Sequence, residues 1–115
     1  MKKKFKIAIV GAGHIAQTFH IPDWIRSKKC EIISLCDKNS LKLKLMSKKF
    51  SIKDVYSNID NLLKNKNLDV INISTPPYLH FKNIISSLKM GKNILVEKPF
   101  VLNNKDIEKI NELVK

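Results

Sequence analysis

The stretch FKIAIVGAGHIA, which runs from Phe5 to Ala16, decides the fold. Its first six residues are mostly apolar and rich in β-branched side chains, which is typical of a buried strand. The strand breaks at Gly11, and the residues from His14 onward are typical of a helix. The turn between them has the form G-x-G-x-x-A, a variant of the fingerprint of dinucleotide-binding domains.

Each small residue of this turn has a physical role in that fingerprint. Gly11 makes the tight turn, Gly13 lets a diphosphate approach the backbone, and Ala16 lets the helix pack closely on the strand. The N-terminus of the helix offers N–H groups and a partial positive charge to the phosphates. His14 and Ile15 lie beside them, so all five residues are candidate cofactor contacts.

The same pattern is also compatible with a turn that binds nothing. Two observations favour binding. The chain has only three glycines, and two of them lie in this turn. Asp37 directly follows a second apolar run, residues 31–36, and comes about 20 residues after Ala16, where the carboxylate that binds the cofactor ribose is expected.

Length and composition predict one globular domain. The chain has 115 residues, of which 43% are hydrophobic, and such a chain is long enough for a hydrophobic core. No apolar run approaches the roughly 18 residues of a membrane span. The lysines at positions 2–4 are interpreted as a solvated lead-in to the first strand, and the protein as cytoplasmic. Cys30 and Cys36, at the two ends of the predicted second strand, are about 20 Å apart, too far for a disulfide.

The net charge of +12 is a weak indication of nucleic-acid binding. Arg26 is the only arginine among the 22 basic residues, whereas base recognition depends heavily on arginine. The lysines are scattered over the predicted helices, which is typical of solvated faces. A general, salt-dependent affinity for polyanions remains an alternative.

Strands and helices alternate along the chain. The first helix begins near His14, is interrupted at Pro22 and continues to about Lys28. The other predicted strands are residues 31–36, 54–57, 69–74 and 93–97, and the other predicted helices are residues 40–50, 60–65, 78–90 and 103–115. Asn39 or Ser40 caps the second helix, and Gly91 ends the fourth. The predicted apolar faces are Leu41, Leu45 and Met46 in the second helix, and Ile107, Ile110 and Val114 in the last.

This alternation predicts an α/β, Rossmann-like three-layer fold with a mostly parallel sheet of order 3-2-1-4-5. In such sheets the ligand binds beyond the carboxyl ends of the strands. Those ends are residues 11–14, Asp37, residues 74–77 and residues 97–99, so the polar residues gather at one edge.

The chain closely resembles the nucleotide-binding half of the Gfo/Idh/MocA oxidoreductases. The resemblance covers essentially all 115 residues and rests on GAGHIA (11–16), CD (36–37), STPPYLH (74–80) and VEKPF (96–100). It implies an NAD(P)-dependent enzyme that transfers hydride between a nicotinamide cofactor and a sugar, cyclitol or related polyol.

The resemblance also implies roles for individual residues. Lys98 is the active-site lysine, where a cation near the reacting oxygen stabilises a developing alkoxide. Glu97 contacts the nicotinamide side of the cofactor, and Ser74, Thr75 and Pro76 line its cleft. His80 either reaches the cofactor or packs in the first turn of the helix. No metal site is expected, because none of the histidines has ligand spacing with another His, Cys or carboxylate.

Asp37 favours NAD over NADP, because its carboxylate accepts from the ribose 2′-OH and repels a 2′-phosphate. Lys38 weakens this preference because it attracts phosphate, so NADP remains possible.

Members of the family carry a second α/β domain that closes over the nicotinamide and supplies an Asp-x-x-x-His pair. The 115 residues include no such domain, so we expect an isolated domain, a truncated product or one half completed by a partner. The chain alone is expected to lack turnover, and its unpaired fifth strand predicts self-association. A non-catalytic dinucleotide-binding or interaction module is the alternative function.

Overall fold

The computed structural model describes residues 4–96, 98 and 101–114. Five parallel strands form one sheet in the order β3-β2-β1-β4-β5, which confirms the predicted topology. The strands are β1 (Phe5–Val10), β2 (Cys30–Cys36), β3 (Asp54–Tyr56), β4 (Val70–Ile73) and β5 (Asn93–Val96). The helices are α1 (Ile21–Arg26), α2 (Ser40–Phe50), α3 (Ile59–Leu62), α4 (Pro77–Lys89) and α5 (Asn104–Val114).

Helices cover both faces of the sheet, so the domain has three layers. β1 is the central strand, and its side chains alternate between two apolar clusters. Ala8 and Val10 face α3, α4 and α5, whereas Ile7 and Ile9 face α1 and α2. Burial on both faces explains why β1 is an almost continuous apolar run.

The helical segment after the glycine turn does not break at Pro22, contrary to the sequence prediction. Ala16–His20 forms a π-helical turn, in which Ile21 donates its N–H to the carbonyl of Ala16 and α1 follows directly. Pro22 then occupies the first turn of α1, where its missing N–H and fixed φ are tolerated. The wider turn therefore lets the chain pass the proline without leaving the helical conformation.

The predicted apolar face of α2 is partly wrong. Leu43 and Met46 are buried, whereas Leu41 and Leu45 are 66% and 58% exposed. Leucine and lysine alternate in this helix, so two overlapping apolar stripes are possible. The Asn39 side chain caps the helix by accepting from the N–H of Lys42.

In α5 only Ile110 of the predicted apolar face is fully buried. Ile107 is 39% and Val114 is 65% exposed, because the described part of the fold packs against one narrow side of this helix. The Asn103 side chain accepts from the N–H of Asp106 at the start of α5.

The end of α4 confirms the predicted role of Gly91. Its φ is +72°, and Gly91 and Lys92 donate their N–H groups to the carbonyls of Leu88 and Ser87. This is a Schellman motif, which satisfies the last carbonyls of the helix.

Among the described residues, β5 pairs with β4 only; self-association through its other edge stays a prediction. Glu97 and Lys115, the predicted ends of the fifth strand and the last helix, lie outside the described residues. No helix in the described ranges is long and apolar enough to cross a membrane.

Candidate functional site

A cavity of about 600 Å³ lies at the carboxyl ends of the strands. It brings together nine of the predicted site residues, which line it in common: Gly11, Gly13, His14, Ile15, Asp37, Ser74, Thr75, Pro76 and Lys98. Ala16 and His80 are buried and are not among the lining residues. Glu97 lies outside the described residues.

Gly11 is required by a close contact between two loops. Its φ is +101°, and a Cβ at this position would lie 2.7 Å from the carbonyl carbon and oxygen of Ser74 and 2.8 Å from the nitrogen of Thr75. The Gly11 N–H donates to the carbonyl of Cys36 at 2.8 Å. The turn after β1 is therefore packed directly on the turn after β4.

Gly13 faces the cavity with open space around it. No atom lies within 4 Å of the position that a Cβ would occupy, and the residue lines the cavity. The space that a side chain would fill is available to a ligand group that approaches the backbone. A diphosphate at the start of the following helix fits this arrangement.

The Asp37 side chain joins the turn after β1 to the loop after β2. One carboxylate oxygen accepts from the N–H of Ala12 at 2.7 Å, and the other accepts from the N–H of Asn39 at 2.8 Å. Each oxygen retains a second lone pair for a ligand hydroxyl. The bond to Ala12 was not predicted from the sequence, because it joins backbone and side chain across two loops.

The turn after β4 is fixed by side chains of α4. The hydroxyl of Thr75 donates to Asn83 Oδ1 at 2.7 Å. Nε2 of His80 lies 2.7 Å from the carbonyl oxygen of Thr75. Because a carbonyl only accepts, this nitrogen carries the proton. His80 is 1% exposed and is one of the buried residues of α4. Asn83 was missed by sequence reasoning.

Lysine side chains surround the cavity. Lys98 is exposed at its rim, and Lys38, Lys42 and Lys82 also line it. Four ammonium groups around one concave surface favour a ligand with phosphate charge.

The end of β3 contributes lining residues that sequence reasoning overlooked, namely residues 57–60. The rule that ligands bind at the carboxyl ends of strands could have found them. Asn39, Lys42 and Tyr78 were overlooked as well. In the part of the chain that is described, no group of three or more His, Cys, Asp or Glu side chains is arranged to hold a metal ion.

Cys36 is a buried free thiol at the inner wall of the cavity, and Cys30 is a half-buried one. Burial raises the pKa of the Cys36 thiol from 9.0 to about 11, and the negative charge of Asp37 acts in the same direction. The thiol is therefore neutral at physiological pH and is a poor nucleophile.

This pKa predicts a loss of stability in alkali. The unfolded chain releases the proton first, so the stabilisation is complete below pH 9.0 and is lost as the pH rises to about 11. The expected loss is roughly 2 kcal/mol. Urea unfolding across this range should show a shallower pH dependence in Cys36→Ala than in the original chain and in Cys30→Ala. Identical pH dependence in all three would contradict the assignment.

These features define a dinucleotide-binding Rossmann domain: a parallel sheet covered by helices, an open glycine turn at the end of β1 and a carboxylate at the end of β2. The chain belongs to the Gfo/Idh/MocA family, since residues 5–115 match the family model described as "Oxidoreductase family, NAD-binding Rossmann fold". The expected family and fold are thereby confirmed.

Two relatives from bacteria illustrate the match. The chain is 25% identical to Oxidoreductase P35 of Formosa agariphila over 115 residues, which are 100% of this chain and 36% of that protein. It is 29% identical to D-apiose dehydrogenase of Paraburkholderia graminis over 104 residues, which are 90% of this chain and 28% of that protein. The chain thus spans about a third of the length of these relatives.

The same fold occurs in the crystal structure of apo scyllo-inositol dehydrogenase from Lactobacillus casei. The two structures superpose with a TM-score of 0.91 at 23% sequence identity, over 99% of this chain and 34% of that chain.

Proposed function

We propose that the cavity holds NAD, and that residues 1–115 form the nucleotide-binding domain of an oxidoreductase that acts on a sugar, cyclitol or related polyol. The observation that carries the proposal is the pairing of open space at Gly13 with the Asp37 carboxylate in one cavity. The substrate class is supported by relatives whose names specify D-apiose and scyllo-inositol. The substrate-binding surface would come from polypeptide outside these residues, because the relatives are about three times longer.

Each group around the cavity has a task in binding. The backbone from Gly13 through His14 and Ile15 receives the diphosphate at the start of the helix. Asp37 accepts a hydrogen bond from a ribose hydroxyl with the lone pairs that Ala12 and Asn39 leave available. Ala16 contributes indirectly, because its small side chain allows the helix to approach the sheet.

The turn after β4 forms the other wall. Ser74, Thr75 and Pro76 line the cleft, and His80 acts through the Thr75 carbonyl, which it holds in place. Glu97 is proposed to contact the nicotinamide side on the basis of the family motif alone.

Lys98 is the proposed catalytic residue. A bound NAD supplies the carbon that accepts or returns the hydride. The Lys98 ammonium group would stabilise negative charge on the substrate oxygen and donate a proton to it when the substrate is reduced. In the oxidation direction, the neutral amine of Lys98 would accept that proton. Its exposure at the rim leaves it accessible to a substrate held by polypeptide beyond these residues.

Calorimetric titration of the 115-residue chain with NAD and NADP tests the binding proposal. NAD should bind more tightly, because the Asp37 carboxylate repels a 2′-phosphate. Asp37→Asn should lower NAD affinity by about tenfold or more, since it removes a charge-assisted hydrogen bond. It should also reduce the difference between the affinities for NAD and for NADP. Asp60→Asn, which removes another carboxylate from the same cavity, is the matched control and should retain the preference. Tighter binding of NADP by the original chain would contradict the assigned specificity.

Lys98→Ala tests the catalytic role. In a polypeptide that contains these residues and oxidises a polyol, kcat should fall by about a hundredfold or more, because a proton-transfer group is lost, while the Kd for NAD changes less than about twofold. Lys82→Ala, a second lysine of the cavity, is the control and should leave kcat unchanged. A large loss of NAD affinity with unaltered kcat would refute the assignment.

The 115 residues alone should show no turnover, because substrate is not positioned and water is not excluded.

A further inference from the structure

We propose that Asn72 is a positioning residue: through a hydrogen-bonded chain from Trp24, it fixes the hydroxyl of Ser74 as a donor to an acceptor oxygen of the bound dinucleotide. The inference deepens the proposed function and rests on it, since the ligand is the dinucleotide assigned to this cavity.

The chain of hydrogen bonds runs through the interior of the domain. Trp24 Nε1 donates to Asn72 Oδ1 at 2.9 Å, and Asn72 Nδ2 donates to Ser74 Oγ at 2.9 Å. Asn72 is 1% exposed and lies on β4, whose other residues, Val70, Ile71 and Ile73, are all apolar. A buried amide in a central strand is costly unless its hydrogen bonds are made.

The indole determines the direction of every bond in the chain. Trp24 Nε1 is only a donor, so the Asn72 atom that it meets must be the amide oxygen. The NH₂ group of Asn72 then points at Ser74, whose oxygen must accept. The hydroxyl proton of Ser74 is consequently directed away from Asn72.

Ser74 lies where its hydroxyl can donate this proton to a ligand in the cavity. Its N–H donates to the carbonyl of Val10 at 2.7 Å, and its carbonyl lies against Gly11, so its backbone is held on both sides. The residue lines the cavity. The adjacent hydroxyl, that of Thr75, already donates to Asn83. Of the two hydroxyls in this turn, therefore, Ser74 supplies the donor to a ligand.

A double-mutant cycle on NAD affinity, measured by calorimetry on the 115-residue chain, tests the inference. Ser74→Ala should weaken NAD binding by about three- to tenfold, the usual effect of one hydrogen bond. Trp24→Phe should weaken NAD binding by about two- to fivefold. Without the indole donor, the Asn72 amide can turn over, and its oxygen then accepts the Ser74 hydroxyl proton in competition with the ligand. In the Ser74→Ala background, Trp24→Phe should have no further effect on affinity.

Ser34→Ala is the matched control. The Ser34 hydroxyl is also buried and donates to Asp54 at 2.7 Å, but Ser34 does not line the cavity. This variant should bind NAD as the original chain does. Urea unfolding of each variant separates loss of stability from loss of affinity.

Trp24 is the only tryptophan, so its single indole N–H resonance in the NMR spectrum reports on the hydrogen bonds that link Trp24, Asn72 and Ser74. Saturating NAD should shift this resonance in the original chain and leave it nearly unmoved in Ser74→Ala. If Ser74→Ala binds NAD normally, or if Trp24→Phe weakens binding equally in both backgrounds, the inference is overturned while NAD binding stands. If the original chain binds neither NAD nor NADH, the proposed function fails, and the inference fails with it.

Discussion

Replacing Gly13 by valine is expected to weaken NAD binding at least about a hundredfold, because the side chain would occupy the space proposed for the diphosphate. The fold should tolerate the change. No atom lies within 4 Å of the new Cβ, and Gly13 does not have a positive φ. Calorimetry with NAD and urea unfolding measure the two effects separately.

Gly91→Ala is the control for the Gly13 experiment. Gly91 also has open space around it, but its φ is +72° and it ends α4, away from the cavity lining. This variant should lose about 1 kcal/mol of stability and keep its affinity for NAD. If Gly13→Val retains NAD affinity within a few-fold, the glycine turn does not bind the diphosphate.

Replacing Gly11 by alanine should destabilise the fold itself, which the Gly13 substitution leaves intact. We expect a loss of about 3 kcal/mol or more in the free energy of unfolding. The methyl group would lie 2.7 Å from backbone atoms of Ser74, and the φ of +101° is unfavourable for any side chain. Backbone cannot yield as a flexible side chain does, so the two turns must separate.

Urea unfolding of Gly11→Ala measures this loss, with Gly13→Ala as the matched control at the other glycine of the same turn. The control should differ from the original chain by less than about 1 kcal/mol. If the two variants were equally stable, the contact between the two turns would not contribute to stability as the structure indicates.

The sequence predicts the topology because its signals are local and consistent. The strand before Gly11 and the Gly91 cap are recognisable from neighbouring residues alone, and alternating strands and helices leave few possible sheet orders. The gathering of Asp37 and Ser74 at one edge follows directly from that order.

The errors arise where more than one local solution exists. In α2 the alternation of leucine and lysine permits two apolar stripes, and packing on the sheet selects Leu43 over Leu41. At Pro22 the expected break is avoided by a π-helical turn, which local propensity does not predict.

Contacts inside the site were the least predictable from the sequence. The bond from Thr75 to Asn83 and the bond from Ala12 to Asp37 join residues 8 and 25 positions apart. Neither spacing is a sequence motif, because each depends on how a turn and a helix, or two loops, approach one another in three dimensions.

The contact between Gly11 and Ser74 also determines when the site acquires its shape. The turn after β1 packs directly on the turn after β4. The conformational entropy of ordering these loops is therefore lost when the chain folds and not when a ligand arrives. On the proposed function, an incoming dinucleotide should meet a surface already in its binding conformation, and the lysines around the cavity should attract its phosphates. Association should accordingly follow simple one-step kinetics, with a rate constant that falls as salt is added.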